Sequence, residues 1–317
     1  MDNVKDNAKR EDNTSSGGFC RGLGGSNSGF CCGSGERLGG GLSGKYPLTG
    51  RGNHSEKTVV KVGNATIGDG EFDFIAGPCA VESEKQIIET ATALKKSGVK
   101  ILRGGAYKPR TSPYSFQGLG KEGLKFLRKA KEETGLAVVT EITDLRTLDL
   151  FDGIDMIQIG ARNMQNFELL KEVGKFGKPV LLKRGFVNTV EEWLMSAEYI
   201  ASNGALDIVL CERGVRTFET LTRNTLDLGI IPLVKELTRL PVIIDPSHAS
   251  GNKKLIRPLT LAAAAVGADG AIIECCVSPE NAVCDGEQAI TPEELKEIIS
   301  AAAKVKEAAE KNGEASR

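Results

Sequence analysis

The chain has 317 residues, 40% of them hydrophobic, with 41 basic and 42 acidic side chains and a formal net charge of -1. That length can bury a sizeable core as one large domain or two small ones, and the near-zero charge excludes a global field for nucleic acid or an anionic membrane. No apolar run approaches a membrane span, and the polar start MDNVKDNAKREDN lacks the apolar centre of a secretory signal, so the expected compartment is the cytoplasm.

Residues 1 to 55, with SSGGFCRGLGGSNSGFCCGSGERLGGGLSG, are too rich in Gly and Ser to offset the entropy of ordering and are expected to form a flexible leader. Cys20, Cys31 and Cys32 fall inside it without a partnering His or regular spacing. The other five of the 8 cysteines are scattered beside strand-like runs, so free thiols or metal ligation are expected rather than a disulfide framework. Residues 56 to 317 are expected to be one folded domain. It opens with a short hairpin over TVVKVGNATIGDGEF. Strand candidates then follow in order: FDFIAG, VKILRGG, LAVVTEI, IDMIQIG, PVLLKRG, LDIVLCERG, LPVIIDPSH and GAIIECC. They are short and rich in Val, Ile and Leu, as parallel strands covered on both faces require. Between them lie amphipathic segments such as SEKQIIETATALKKSG, with a serine cap and a terminal glycine, NTVEEWLMSAEYIASNG, and TPEELKEIISAAAKVKEAAEKNG, with Pro in its first turn. Strand-then-helix units repeated to a count of eight predict an α/β fold, a TIM (β/α)8 barrel with an N-terminal hairpin. An open doubly wound sheet shares the alternation, but no GxGxxG follows the first strand.

In such a barrel the chemistry sits at the C-terminal ends of the strands. There the sequence places Cys79; Arg103 with Lys108 and Arg110; Glu141; Gln158 with Arg162; Lys183 with Arg184; Glu212 with Arg213; Asp245 with His248; and Glu274 with Asp285. Any one of these also fits a solvated rim. Jointly, so many cations on one rim point to a polyanionic substrate carrying more than one phosphate, although pairing with Glu141, Glu212 and Asp245 competes for some of them. Cys79, His248, Glu274 and Asp285 make a plausible mixed-ligand site for a divalent metal. Taken singly, Cys79 also fits a small core residue, and DPSH a turn that caps a strand.

The stretches IAGPCAVES, LRGGAYKPRTSPYSFQGLG, QIGARNMQN, LLKRG, CERG, IIDPSHASG and a final Glu and Asp resemble the 3-deoxy-D-arabino-heptulosonate 7-phosphate (DAHP) synthases. The likeness is to the shorter branch, related to the 3-deoxy-D-manno-octulosonate 8-phosphate (KDO8P) synthases, and it runs from about Thr58 to the last helix. The resemblance implies a metal-dependent aldol-type condensation of phosphoenolpyruvate with erythrose 4-phosphate at the first step of the shikimate pathway. It implies that Cys79, His248, Glu274 and Asp285 hold the divalent ion, which Mn, Fe, Co or Zn would suit. It gives the phosphoenolpyruvate phosphate to Arg162, Lys183 and Arg213, its carboxylate to Arg103 and Lys108, and the aldose phosphate to Arg110, Thr111 and Ser112. Asp245 is expected beside the substrates, and Lys108, Glu141 and His248 are the expected catalytic groups, with an ion pair to an arginine as the bland role for Glu141. The clamp reads KPRTS where KDO8P synthases typically read KANRSS, which favours erythrose 4-phosphate over arabinose 5-phosphate. A catalytically silent barrel is the alternative from another class, and a homotetramer or dimer is the expected assembly. Strand alternation points Cys276 to the side of Glu274, which predicts a thiol-sensitive activity. The leader's composition predicts no folded regulatory domain and no feedback inhibition by aromatic amino acids.

Overall fold

The computed structural model describes residues 44–52 and 56–314, so Cys20, Cys31, Cys32 and most of the expected leader lie outside the described residues. A hairpin of β1 (Val60–Val62) and β2 (Ala65–Ile67) comes first. Eight parallel strands follow: β3 (Asp73–Gly77), β4 (Ile101–Arg103), β5 (Ala137–Ile142), β6 (Met156–Ile159), β7 (Val180–Lys183), β8 (Ile208–Glu212), β9 (Val242–Ile244) and β10 (Gly270–Glu274). Each pairs with the next and β10 closes on β3, giving the barrel that the alternation predicts.

The outer layer is α1 (Glu84–Lys96), α2 (Lys121–Thr134), α3 (Phe167–Phe176), α4 (Val190–Ala201), α5 (Ile230–Leu237), α6 (Pro246–Ser250), α7 (Lys253–Ala265) and α8 (Pro292–Glu314). Local chemistry starts them where the sequence says: Ser83 accepts from Gln86 N ahead of α1, and Thr189 with Glu192 forms a capping box on α4. The unit after β5 departs from the repeat. The short connection to Met156 holds only a tight 3-10 run, Leu145–Phe151, capped by Asp144 and anchored by buried Phe151.

Two apolar layers hold the barrel. Outward-facing strand residues such as Leu102, Val138, Ile157 and Leu182 pack under the helices, with Trp193 fully buried and its indole donating to Leu182 O at 3.2 Å. Inward-facing Ile75, Ile101, Val139, Leu181, Val209, Ile243 and Ile272 meet Val60, Val62, Ala65 and Ile67 of the hairpin. The hairpin therefore plugs the interior at one end. Each buried Val, Leu or Ile among them contributes about 1.5–3 kcal/mol by leaving water, which stabilises the barrel beneath the polar rim.

One boundary moves. Residues 44–52, assigned to the flexible leader by composition, lie against the barrel with Tyr46 and Thr49 buried. Glu198 accepts from Leu48 N at 2.7 Å and Thr49 N at 3.0 Å, and Arg51 N donates to Leu237 O at 3.0 Å. Glycine content misled the reading because backbone groups, which every residue carries, make most of these contacts.

Candidate active site

A cavity of about 500 Å³ opens at the C-terminal ends of the strands. The residues around it come from the ends of β4 to β8 and the connections after them, with His248 from α6 and Asp285 ahead of α8. Tertiary closure thus gathers what the sequence spreads from Arg103 to Asp285.

Beneath it, with His248 and Asp285 reaching its lining, one donor atom from each of Cys79, His248, Glu274 and Asp285 lies within 4.8 Å of the others. Cys79 Sγ is 3.0 Å from Asp285 Oδ2, and His248 Nε2 is 3.0 Å from Glu274 Oε1. Asp285 is the sole non-glycine described residue with positive φ, at 53°, a conformation that costs free energy and turns its carboxylate into the cluster. The donors are thiolate-, imidazole- and carboxylate-forming groups at chelating separation, and they fit a divalent metal of borderline softness. Surrounding contacts orient them. Asp245 accepts from His248 N at 2.9 Å and touches Nδ1 at 2.8 Å, which directs Nε2 at the cluster. Glu274 receives Arg103 at 2.8 Å on Oε1 and Gln288 on Oε2, and its backbone N donates to Ser247 Oγ at 3.0 Å.

The charges are held by their neighbours. Burial alone would raise the carboxyls of Asp245 and Glu274. Instead His248 and Lys183 hold Asp245 well below the usual carboxylate range, and His248, Arg103 and Lys108 do the same for Glu274. Burial, reinforced by Glu274, pushes the Cys79 thiol up against the pull of Lys108 and Arg103. A divalent ion held by these donors would reverse that balance, because a coordinating thiol is deprotonated.

The glycine-rich loop after β4 brings its cations over this floor. Lys108 Nζ donates to Cys79 O at 3.0 Å and lies 2.9 Å from Cys79 Sγ. Gly105 permits it, since a Cβ there would stand 2.7 Å from Lys108 Cδ and 2.6 Å from Cys79 O. Arg110 donates to Phe116 O at 3.3 Å and lies 3.7 Å from Asp285 Oδ2, and exposed Thr111 and Ser112 continue the wall. On the opposite side stand Arg162, Lys183 and Arg213, the last two buried, with Lys183 on Asp245.

Several expectations need correction. Asp245 is fully buried and does not line the cavity; its side chain meets Lys183 and His248 instead. Arg184 is taken up by Glu212 at 2.9 Å and Asp227 at 3.5 Å, behind the wall. Glu141 lines the cavity, but its partner is Gln158 Nε2 at 2.8 Å, and no arginine pairs with it among the described residues. A Cβ on Gly160 would stand 1.9 Å from Glu141 Oε1, so that glycine makes room for the carboxylate. Cys276 is buried, outside the four-donor cluster, and burial pushes its thiol up to about 11, which argues against a reactive sulfur. Phe186, Arg216, Arg223 and Asn224 also line the cavity and were not anticipated. The only hint was a pair of arginines in VRTFETLTRN after β8, with no regular spacing to set them apart.

A model of the DAHP synthetase I family matches residues 54–311. The chain belongs to that family. It is 52% identical over 264 residues to a phospho-2-dehydro-3-deoxyheptonate aldolase of Thermotoga maritima, covering 83% of this chain and 78% of that protein. It is 30% identical over 264 residues to a 2-dehydro-3-deoxyphosphooctonate aldolase of Francisella tularensis, covering 76% of this chain and 94% of the relative. The crystal structure of the Thermotoga maritima DAHP synthase superposes with a TM-score of 0.79, covering 82% of this chain and 77% of that one. A truncated form of 3-deoxy-D-arabino-heptulosonate 7-phosphate synthase from the same organism, 48% identical, gives a TM-score of 0.77 over 83% of this chain and 97% of that one. Membership agrees with the resemblance carried by the motifs, and the higher identity lies with the heptonate rather than the octonate enzyme. No described helix is long and apolar enough to cross a membrane.

Proposed function

We propose that this member of the DAHP synthetase I family condenses phosphoenolpyruvate with erythrose 4-phosphate and water to give DAHP and inorganic phosphate. The observation that carries the reading is the four-donor cluster at the floor of a cavity whose two walls each bear cations. Two walls suit two phosphorylated reactants meeting over one floor.

Cys79, His248, Glu274 and Asp285 would hold the divalent metal, which supplies Lewis acidity toward an aldehyde oxygen when bound. Arg162, Lys183 and Arg213 bind the phosphate of phosphoenolpyruvate, and Arg103 with Lys108 binds its carboxylate. Arg110, Thr111 and Ser112 grip the aldose phosphate, which aims the aldehyde carbon at the enol carbon. After the carbon–carbon bond forms, water adds at the carbon bearing phosphate and the adduct expels phosphate. The same cations hold the charge that develops, already oriented by the fold. Glu141, with Gln158 fixing one oxygen, accepts the proton of the attacking water. The catalytic unit of this reading is residues 56–317, strapped by residues 44–52. Arg110 beside Asp285 favours a short aldose whose phosphate reaches the loop while its aldehyde stays at the floor.

The test is phosphate release from phosphoenolpyruvate with erythrose 4-phosphate, arabinose 5-phosphate or unphosphorylated erythrose, with and without a chelator. Chelator-sensitive turnover with erythrose 4-phosphate supports the reading. A higher kcat/KM with arabinose 5-phosphate would transfer the protein to the octonate chemistry, and no turnover with any acceptor would leave a binding barrel.

A further inference from the structure

We propose that Phe186 is a positioning residue that assembles the phosphate receptor of the cavity and recruits Arg216 into it; the inference rests on the reading above for the identity of the phosphate. The guanidinium carbons of Arg213, Arg216 and Arg162 stand 4.6, 4.9 and 5.5 Å from the centre of the Phe186 ring, and all four residues line the cavity. Among the described residues no carboxylate lies within salt-bridge distance of these three arginines, whereas Arg103, Arg110, Arg184 and Arg223 each have at least one. Arg213 instead donates to His248 O at 3.2 Å. The backbone locks the arrangement, because Arg216 N donates to Phe186 O at 2.7 Å and so ties the connection after β8 to the one after β7.

The choice of an aromatic ring has a physical reason. Three guanidinium groups crowded together repel, and something must hold them. A carboxylate would do so by cancelling their charge, leaving little for a ligand. The face of an aromatic ring attracts a cation through its quadrupole and carries no net charge, so the arginines stay gathered and stay cationic. The ligand class that uses such a cluster is a phosphate monoester dianion, whose oxygens match planar guanidinium forks. Arg216 thereby joins Arg162, Lys183 and Arg213 as a contact to the phosphate of the enol substrate.

The experiment uses the full chain with Phe186→Leu, Phe186→Tyr and Arg216→Gln, and two readouts: the dissociation constant for inorganic phosphate by calorimetry, and KM for each substrate. Phe186→Leu keeps apolar bulk without a π face. It is expected to weaken phosphate binding and raise KM for phosphoenolpyruvate by roughly tenfold, with KM for erythrose 4-phosphate within about twofold. Phe186→Tyr keeps the face and should behave as the parent, and Arg216→Gln should reproduce the leucine variant. Phosphate affinity unchanged in either the leucine or the glutamine variant, or equal rises in both KM values, overturns the proposal. Should the parent protein fail to condense the two substrates, the functional reading falls, while the phosphate titration still decides the role of Phe186.

Discussion

Asp245 closes on His248 twice: its carboxylate accepts the backbone N–H at 2.9 Å and meets ring Nδ1 at 2.8 Å, while the same group holds Lys183. One buried side chain therefore caps α6, fixes the face of the imidazole and anchors a cavity lysine. Asp245→Asn is expected to lower divalent-metal affinity by about 10–100-fold. It also leaves Lys183 buried without its counter-charge, at a cost of about 3 kcal/mol in stability. Calorimetric titration with Mn²⁺ or Zn²⁺ beside a thermal melt checks both; unchanged metal affinity would contradict the assignment of His248 as a ligand.

Removing the metal should abolish turnover, and adding back Mn²⁺, Co²⁺ or Zn²⁺ should restore it. Cys79→Ser replaces a soft donor with a weak hydroxyl ligand and should depress affinity for Zn²⁺ more than for Mn²⁺. The paired titrations decide it: equal losses for the two ions would place Cys79 outside the coordination sphere.

Arg110, on the loop after β4, lies against Phe116 O and Asp285, and the proposed reading gives it the aldose phosphate. Arg110→Ala should raise KM for erythrose 4-phosphate on the order of a hundredfold, as expected for loss of a charge-assisted fork, and leave KM for phosphoenolpyruvate nearly unchanged. Arg110→Lys should recover part of the loss, since a point charge lacks the bidentate geometry. Steady-state kinetics with each substrate varied in turn gives the answer.

Asp73 gives the stability a pH dependence remote from the cavity. Burial first, then Asp69 and Glu71, push its carboxyl from 3.8 up to about 7 against the pull of Lys100, and its Oδ2 is buried without a hydrogen-bond partner. A raised carboxyl means that the folded chain binds a proton the unfolded chain has lost, so this group's contribution falls as pH rises from about 4 to about 7. Above that window the penalty is complete. Asp73→Asn should therefore stabilise the protein at pH 8, on the order of 2 kcal/mol, and change little at pH 4. Urea denaturation at the two pH values measures it, and an equal effect at both would remove Asp73 as the source.

Much of this protein is legible along the chain because the deciding physics is local. Short continuous runs of Val, Ile and Leu, serine and threonine caps and the count of βα units point to a closed barrel, and a barrel fixes which ends of the strands bear chemistry. Hence Cys79, His248, Glu274 and Asp285 could be named before any geometry, and the structure brings them within 4.8 Å. The family is a matter of resemblance instead: the motifs match those of the DAHP synthases in order, and the family model covers residues 54–311.

What the chain alone left open depends on contacts between distant segments. Whether a cation is free or paired is decided across strands: Arg184 finds Glu212 and Asp227, whereas Arg162, Arg213 and Arg216 find the face of Phe186. Residue type cannot tell these cases apart, since the same guanidinium serves both. Asp245 is likewise an ordinary acidic residue in the sequence, and only the tertiary structure buries it against Lys183 and His248 and away from the cavity lining. Tyr46 and Thr49 sit in a glycine-rich stretch, yet both are buried, and Glu198 and Thr238 hydrogen-bond Thr49 from distant parts of the chain. Propensity and periodicity are properties of neighbours in sequence. Charge pairing and burial are properties of neighbours in space, which the closed barrel alone creates.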